Sequence, residues 1–180
     1  MPPRQLHEQI PGLRRYARAL TGNTWAADDL VQDTLERACS KWRLWLAGSD
    51  LRAWLFTIMH NIHASEVRKL VRQQQLAPTG SWEDEAQQVA EAISDNDIRL
   101  DLQRYLMQLP EDQRSVLLLV VLEDMSYADV ARITSTPLGT VMSRLSRARS
   151  RLQTLMNAPA KALPPSSSAG ADIVPLHRSR

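Results

Sequence analysis

The stretch Ser126-Tyr-Ala-Asp-Val-Ala-Arg-Ile-Thr-Ser-Thr-Pro-Leu-Gly-Thr-Val-Met-Ser-Arg-Leu-Ser-Arg-Ala-Arg-Ser-Arg-Leu152 decides how the rest of the chain is read. Its first four residues form a capping pattern. The hydroxyl of Ser126 can accept from the amide three residues on, and Asp129 sits where a helix dipole favours negative charge. The helix that follows, Tyr127 to about Ile133, is expected to bury Val130, Ala131 and Ile133. Thr134, Ser135 and Thr136 supply a turn. Pro137 suits the first position of a second helix, where its missing N–H is not needed. In that helix Val141, Leu145, Ala148 and Leu152 recur at i, i+4, i+7 and i+11, one apolar stripe. Thr140, Arg144, Arg147 and Arg151 flank the stripe, while Ser143, Ser146 and Ser150 lie opposite it. Short hydroxyls let the backbone approach a duplex, and arginine pairs with guanine edges or clamps phosphates. An Arg-rich helix alone would be an ordinary solvated face. The cap, the short turn, the proline and the complete second-helix pattern together predict a helix-turn-helix that docks on double-stranded DNA.

Upstream of it, Leu100, Leu102, Leu106 and Leu109 supply apolar surface up to Pro110. Pro110-Glu-Asp-Gln113 then opens a run, Val116 to Leu122, that is apolar on nearly every face and therefore predicts a buried central helix. A helical module over 99–157 follows. Residues after about Ala158 become rich in Pro, Ser, Ala and Gly, so 158–180 is expected to be a disordered tail.

A first helical module is expected over 5–75. A short apolar segment from Leu13 to Leu20 stops at the turn signal Thr21-Gly22-Asn23. Ala26 to Trp42 places Val31, Leu35, Ala38 and Trp42 on one stripe, and Gly48-Ser49-Asp50 breaks the pattern. A third helix from Leu51 to about Arg72 has Leu55, Ile58, Met59 and Ile62 on its buried side. Trp25, Trp42, Trp45 and Trp54 lie in this module and for the most part read as its bulky core. Cys39, next to the stripe, reads as a small core residue. Between the modules, residues 76–98 form an acidic stretch broken by Pro78-Thr-Gly80, expected to be a flexible linker. The fold class is therefore all-α, two small helical domains joined by a linker.

The formal net charge of +2 conceals an alternation of +4 over residues 1–75, −7 over 76–112 and +5 over 113–180. Two basic blocks flanking an acidic segment fit two polyanion-binding modules, although ordinary solvated charge accounts for the alternation equally well. Hydrophobic residues make up 43% of the chain, enough for real cores, and no apolar run approaches a membrane span. The N-terminus carries no signal-peptide pattern, so a cytoplasmic protein without membrane insertion is expected. A single cysteine excludes an internal disulfide and a Cys-based zinc site.

The two modules in this order sharpen the reading. Asp28-Asp-Leu-Val-Gln32-Asp33-Thr-Leu-Glu36-Arg-Ala38 resembles the core-polymerase-binding helix of bacterial sigma factors, and Arg52-Ala-Trp-Leu-Phe-Thr-Ile-Met-His-Asn61 resembles their promoter-opening helix. Leu109-Pro-Glu-Asp-Gln-Arg-Ser-Val, Ser126-Tyr-Ala-Asp-Val-Ala and Gly139-Thr-Val-Met-Ser-Arg-Leu-Ser-Arg-Ala-Arg look like the C-terminal domain of the same family. The resemblance spans about residues 10–155. It includes only the second and fourth conserved regions, as in the small extracytoplasmic-function (ECF) group.

The resemblance implies that Asp29, Gln32, Asp33 and Glu36 contact the clamp helices of core RNA polymerase, although acidic residues near a helix start are also favourable in water. It implies that Asn61, Arg68, Lys69 and Arg72 engage the minus-ten element of promoter DNA. It likewise places Gly48, Ser49 and Asp50 in a loop that holds a flipped base. Thr136, Thr140, Ser143, Arg144 and Arg147 would read the minus-thirty-five element, with this domain also on the polymerase flap. An anti-sigma factor is an expected partner. No catalytic role and no cofactor are expected, and no phosphate-binding glycine loop occurs. Three positions depart from the family pattern: Ser135 stands where glycine is usual, Met142 replaces a common lysine, and Ser65 replaces a frequent aspartate. His60 and His63 are spaced i, i+3 but lack further ligands for a metal. Two other functions stay open at this point, a conventional helix-turn-helix regulator and a sigma-like decoy for an anti-sigma factor.

Overall fold

A computed structural model describes residues 4–45, 50–76 and 96–157. Among them are seven α-helices, a 3-10 turn and no strand. The expected tail at 158–180 lies outside the described residues, as does most of the expected linker at 76–98; residues 96–98 already belong to a helix.

Helix α1 (Arg4–Thr21) begins well before the expected Leu13, and Pro11 lies inside it. Leu6, Leu13, Tyr16, Ala17 and Leu20 form its buried stripe. It stops at Gly22, which adopts φ +70 and donates its amide to the Arg18 carbonyl at 3.0 Å. Glycine is favoured there because the backbone is left-handed, and a Cβ, 2.7 Å from the Met107 sulfur, would also make that side chain shift. Asn23 then caps helix α2 (Thr24–Ser40), its side-chain oxygen accepting from the Ala26 amide at 3.1 Å. Ala27, Leu30, Val31, Thr34 and Ala38 face inward, and the buried Thr34 hydroxyl donates to the Leu30 carbonyl.

A 3-10 turn (Trp42–Leu44) follows, and Asp50 caps helix α3 (Leu51–Leu76) by accepting from the Ala53 amide at 3.2 Å. Leu55, Ile58, Met59 and Ile62 are buried as expected. Tyr16 meets Phe56 edge to face, ring centroids 5.3 Å apart, which joins α1 to α3.

The second module starts with helix α4 (Asn96–Met107). Arg114, from helix α5 (Glu111–Val121), donates to the carbonyls of Leu106, Met107 and Leu109 at 3.3–3.4 Å and so satisfies acceptors at the end of α4. Ser115 to Leu119 are buried, in keeping with a central helix, but Val121 is exposed. Helix α6 (Tyr127–Thr134) is capped by Ser126, which accepts the Asp129 amide at 3.1 Å and donates to the Asp129 carboxylate at 2.6 Å. The turn is a left-handed C-cap at Ser135, φ 52 and ψ 41, closed by the Thr136 amide donating to the Ala131 carbonyl. Ser135 therefore takes the conformation for which glycine is usual. Helix α7 (Leu138–Asn157) starts one residue after Pro137, whose carbonyl accepts from Thr140 and Val141. Val141, Leu145 and Ala148 are buried and Leu152 packs partly against the core.

The two modules do not stand apart. α3 lies against α6, and α1 lies against α4 and α5, so the buried apolar residues run as one cluster from Leu6 to Ala148. Glu123, in the turn after α5, has a fully buried side chain at this junction. It accepts from Arg15 of α1 at 2.9 Å and from Arg52 of α3 at 2.7 Å. Gly12 of α1 leaves the room, since a Cβ there would lie 3.2 Å from the carboxylate.

Candidate nucleic-acid and protein interfaces

α2 presents Asp29, Gln32, Asp33 and Glu36 on its exposed side, opposite the buried stripe, because residues three and four apart share a face. Gln32 donates to the Glu36 carboxylate at 3.0 Å. Glu66 of α3 joins this face. Its carboxyl is held above the usual range, by partial burial first and then by the nearby Asp33 and Asp29. The sequence reading missed Glu66 because its neighbours sit on another helix.

On α3, Asn61, Arg68, Lys69 and Arg72 are all exposed along its second half. The Ser65 hydroxyl bonds back to the Asn61 carbonyl at 2.7 Å, and Arg68 donates to the Ser65 oxygen and to the Ala64 carbonyl. With serine in place of the frequent aspartate, Arg68 makes no ion pair among the described residues. Gly48 and Ser49 lie outside the described residues, while Asp50 is occupied as the cap of α3.

Within the helix-turn-helix, Arg147 is exposed and makes no ion pair among the described residues, whereas Arg144 is held by Asp112 of α5 at 3.0 Å. Thr136 shares a hydrogen bond with Thr134 at 2.8 Å, and the Ser143 hydroxyl donates to the Thr140 carbonyl at 3.0 Å. The exposed face of α7 therefore carries Arg147 and Ser146 outward, with Arg144 swung toward α5. The capping hydroxyl of Ser126 and the neighbouring Arg132 hold the Asp129 carboxyl below the usual carboxylate range.

His60 and His63 face the second module. Burial, then Arg114 and His60, push His63 down to about 4; burial, then Arg144 and Arg68, lower His60 as well. His63 Nε2 stands 3.8 Å from the Glu111 carboxylate, whose own pKa is raised chiefly by burial. No group of three His, Cys, Asp or Glu side chains placed to hold a metal occurs among the described residues. No helix among them is long and apolar enough to cross a membrane.

Ala131, expected in the core, is only half-buried, and two further residues differ from expectation. Cys39 is exposed, because one step from Ala38 turns about 100° around the helix and out of the stripe. Trp25 is not core: it is 82% exposed, whereas Trp42 packs tilted against Trp45 and edge to face against Trp54, at 5.0 and 6.2 Å between ring centroids. A groove of about 920 Å³ opens between α1, α4, α5 and α7. Its walls include Ile10, Leu102, Leu117 and Val121, and Arg14 and Arg18 stand along one edge.

Comparison with known proteins supplies the family context. Residues 6–60 match the family described as the sigma2 domain of PhyR, and residues 99–152 match sigma-70 region 4. The ECF RNA polymerase sigma factor EcfG of Rhodopseudomonas palustris is 40% identical over 150 residues, 82% of this chain and 80% of that one. The ECF sigma factor SigM of Mycobacterium tuberculosis is 33% identical over 153 residues, 85% of this chain and 74% of that one. Among solved structures, the sigma factor RpoE of Bartonella quintana, in complex with the anti-sigma factor NepR, superposes with a TM-score of 0.68 at 36% identity. That match covers 86% of this chain and 95% of the other. The PhyRSL protein of the PhyRSL–NepR complex from Sphingomonas sp. Fr1 gives a TM-score of 0.59 at 25% identity, over 91% and 93% of the two chains.

Proposed function

The chain belongs to the ECF family of RNA polymerase sigma factors, and from that premise we propose how its two modules divide promoter recognition. The family supplies a non-catalytic specificity subunit of RNA polymerase, which displaces the reading as a conventional regulator. In our reading α2 is the helix that grips core polymerase through Asp29, Gln32, Asp33 and Glu36. An acidic face suits a basic partner, since complementary charge steers encounter and sets orientation. The exposed half of α3, with Asn61, Arg68, Lys69 and Arg72, takes the minus-ten element, joined by the Gly48–Asp50 segment. The face of α7 around Thr140, Ser143, Arg144 and Arg147, with Thr136, takes the minus-thirty-five element.

One observation carries this reading: the acidic face of α2 and the cationic faces of α3 and α7 are exposed in one chain, on two modules. The modules as packed cannot read both elements at once. Elements about 25 base pairs apart are separated by roughly 85 Å of duplex, at about 3.4 Å per base pair, whereas α3 touches α6. Binding to polymerase is therefore assigned the work of parting them. The test is reconstitution of the full chain with core polymerase on promoters mapped after overexpression. Defined transcripts are expected, and failure to initiate at any mapped promoter overturns the assignment.

The groove beside α1 supports a second element of the proposal. Its apolar walls and the Arg14/Arg18 edge fit an acidic amphipathic helix, and two structural relatives were solved with the anti-sigma factor NepR. We assign this groove to an anti-sigma partner that binds in the cytoplasm and stabilises the packed arrangement. Val121→Glu, which puts a charge on the apolar wall, is expected to abolish co-purification with that partner while sparing transcription.

A further inference from the structure

We propose that Trp25 is the apolar anchor of the contact between α2 and core RNA polymerase. The proposal rests on the assignment of α2 as the polymerase-facing helix. It adds to that assignment a residue outside the acidic motif, and a mode of contact that charge does not supply.

Trp25 is 82% exposed, the highest value among the exposed large apolar side chains of the described residues. The first module packs Trp42 against Trp45 and Trp54, all three half-buried, and leaves this one out. Isolated exposed apolar residues are common on protein surfaces. Position separates Trp25 from that background. Counting along α2, Trp25, Asp29, Gln32 and Glu36 stand at i, i+4, i+7 and i+11, one stripe. The opposite side is the buried row of Ala27, Leu30, Val31, Thr34 and Ala38. The indole therefore heads the same face that carries the acidic contacts.

The backbone under it is fixed before any partner arrives. Gly22 closes α1 in a left-handed turn, Thr21 bonds to the Ala17 and Asn23 carbonyls, and Asn23 caps the first turn of α2. A rigid aromatic with two side-chain torsions loses little entropy on docking, and tryptophan is enriched among the few residues that dominate binding energy. Acidic neighbours then orient a basic helical surface, and an apolar slot in that surface takes the indole. Charge governs the rate of encounter and the buried ring governs dissociation.

The experiment measures binding of the full chain to core polymerase for Trp25→Ala, Trp25→Phe and Asp33→Ala, with melting temperature and sedimentation recorded for each. Trp25→Ala is expected to raise Kd about thirtyfold, mainly through faster dissociation, with melting unchanged and Phe restoring part of the loss. If Asp33→Ala weakens binding and Trp25→Ala does not, the anchor is overturned while the assignment of α2 stands. If neither weakens it, the assignment of α2 falls and takes the anchor with it. If Trp25→Ala alters only self-association or only capture by an anti-sigma partner, the anchor is likewise overturned.

Discussion

Arg52 of α3 and Glu123, in the turn after α5, meet at 2.7 Å across the junction of the two modules, and the same guanidinium donates to the Glu123 carbonyl at 2.8 Å. The Glu123 side chain is fully buried, while Arg52 and Arg15 keep 37% and 53% of their side-chain exposure. The asymmetry decides what a substitution costs. Losing the carboxylate leaves two cations that water can reach; losing a cation leaves a buried anion short of a partner. Arg52→Ala is therefore expected to destabilise the chain by about 2–3 kcal/mol, and Arg15→Ala by less. Urea denaturation checks the order, and equal effects would contradict it.

Ser135 pays for its left-handed backbone, φ 52, with steric strain that glycine would not have. Glycine also loses more entropy on folding, which offsets part of the relief. Ser135→Gly is expected to stabilise the second module by about 0.5–1 kcal/mol, raising the melting temperature by a few degrees. A lower melting temperature would show that the Ser135 side chain contributes something the turn geometry does not explain.

The pH dependence follows from His63. Burial holds its folded pKa down to about 4, well below the ordinary histidine value of 6.5, so folding favours the neutral ring. That contribution is fully present above pH 6.5 and is lost as pH falls toward 4. Between pH 7 and 5 the loss is about 2 kcal/mol. His60 is shifted the same way, whereas Glu111, raised above its usual value, favours folding more at low pH and opposes the trend. Arg114 faces this cluster and adds to the penalty for a charged His63. His63→Leu should flatten the fall in unfolding free energy between pH 7 and 5; an unchanged slope would remove His63 as its source.

Arg144 and Arg147 should behave differently toward DNA. Asp112 competes with phosphate for Arg144, and nothing among the described residues competes for Arg147. Arg147→Ala is expected to weaken promoter binding and lower the salt slope by about 0.9 without loss of stability. Asp112→Asn frees Arg144 and should raise affinity at low salt. Filter binding of the holoenzyme across a salt series reads both, and an Asp112→Asn affinity equal to wild type would show that the ion pair does not limit DNA contact.

Local pattern carried much of the architecture. The cap at Ser126, the turn at 134–136 and the stripe of Val141, Leu145 and Ala148 are all short-range, so spacing alone placed them. The same arithmetic could have placed Trp25 and Cys39 outside the core, since each lies off the stripe when counted at about 100° per residue. Neighbourhood in sequence is not neighbourhood on the helix. For the residues assigned to DNA, chemistry and face were legible, but not which of them already had partners.

The helix-turn-helix between Ser126 and Leu152, the acidic face of α2 and the order of the two modules belong to the sequence itself, because caps, turns and helical stripes are set by residues a few positions apart. Tertiary structure decided the rest. Glu123 meets Arg15 and Arg52 from 108 and 71 positions away, Arg144 is taken by Asp112, and His63 is buried against Glu111. No local rule encodes such pairings. The Glu123 pairings exist because packing α3 on α6 and α1 on α5 excludes water from its carboxylate, which must then accept from whatever the opposing helices present. α5 against α7 sets Asp112 beside Arg144, and His63 Nε2 and a Glu111 oxygen are buried without a hydrogen-bond partner among the described residues.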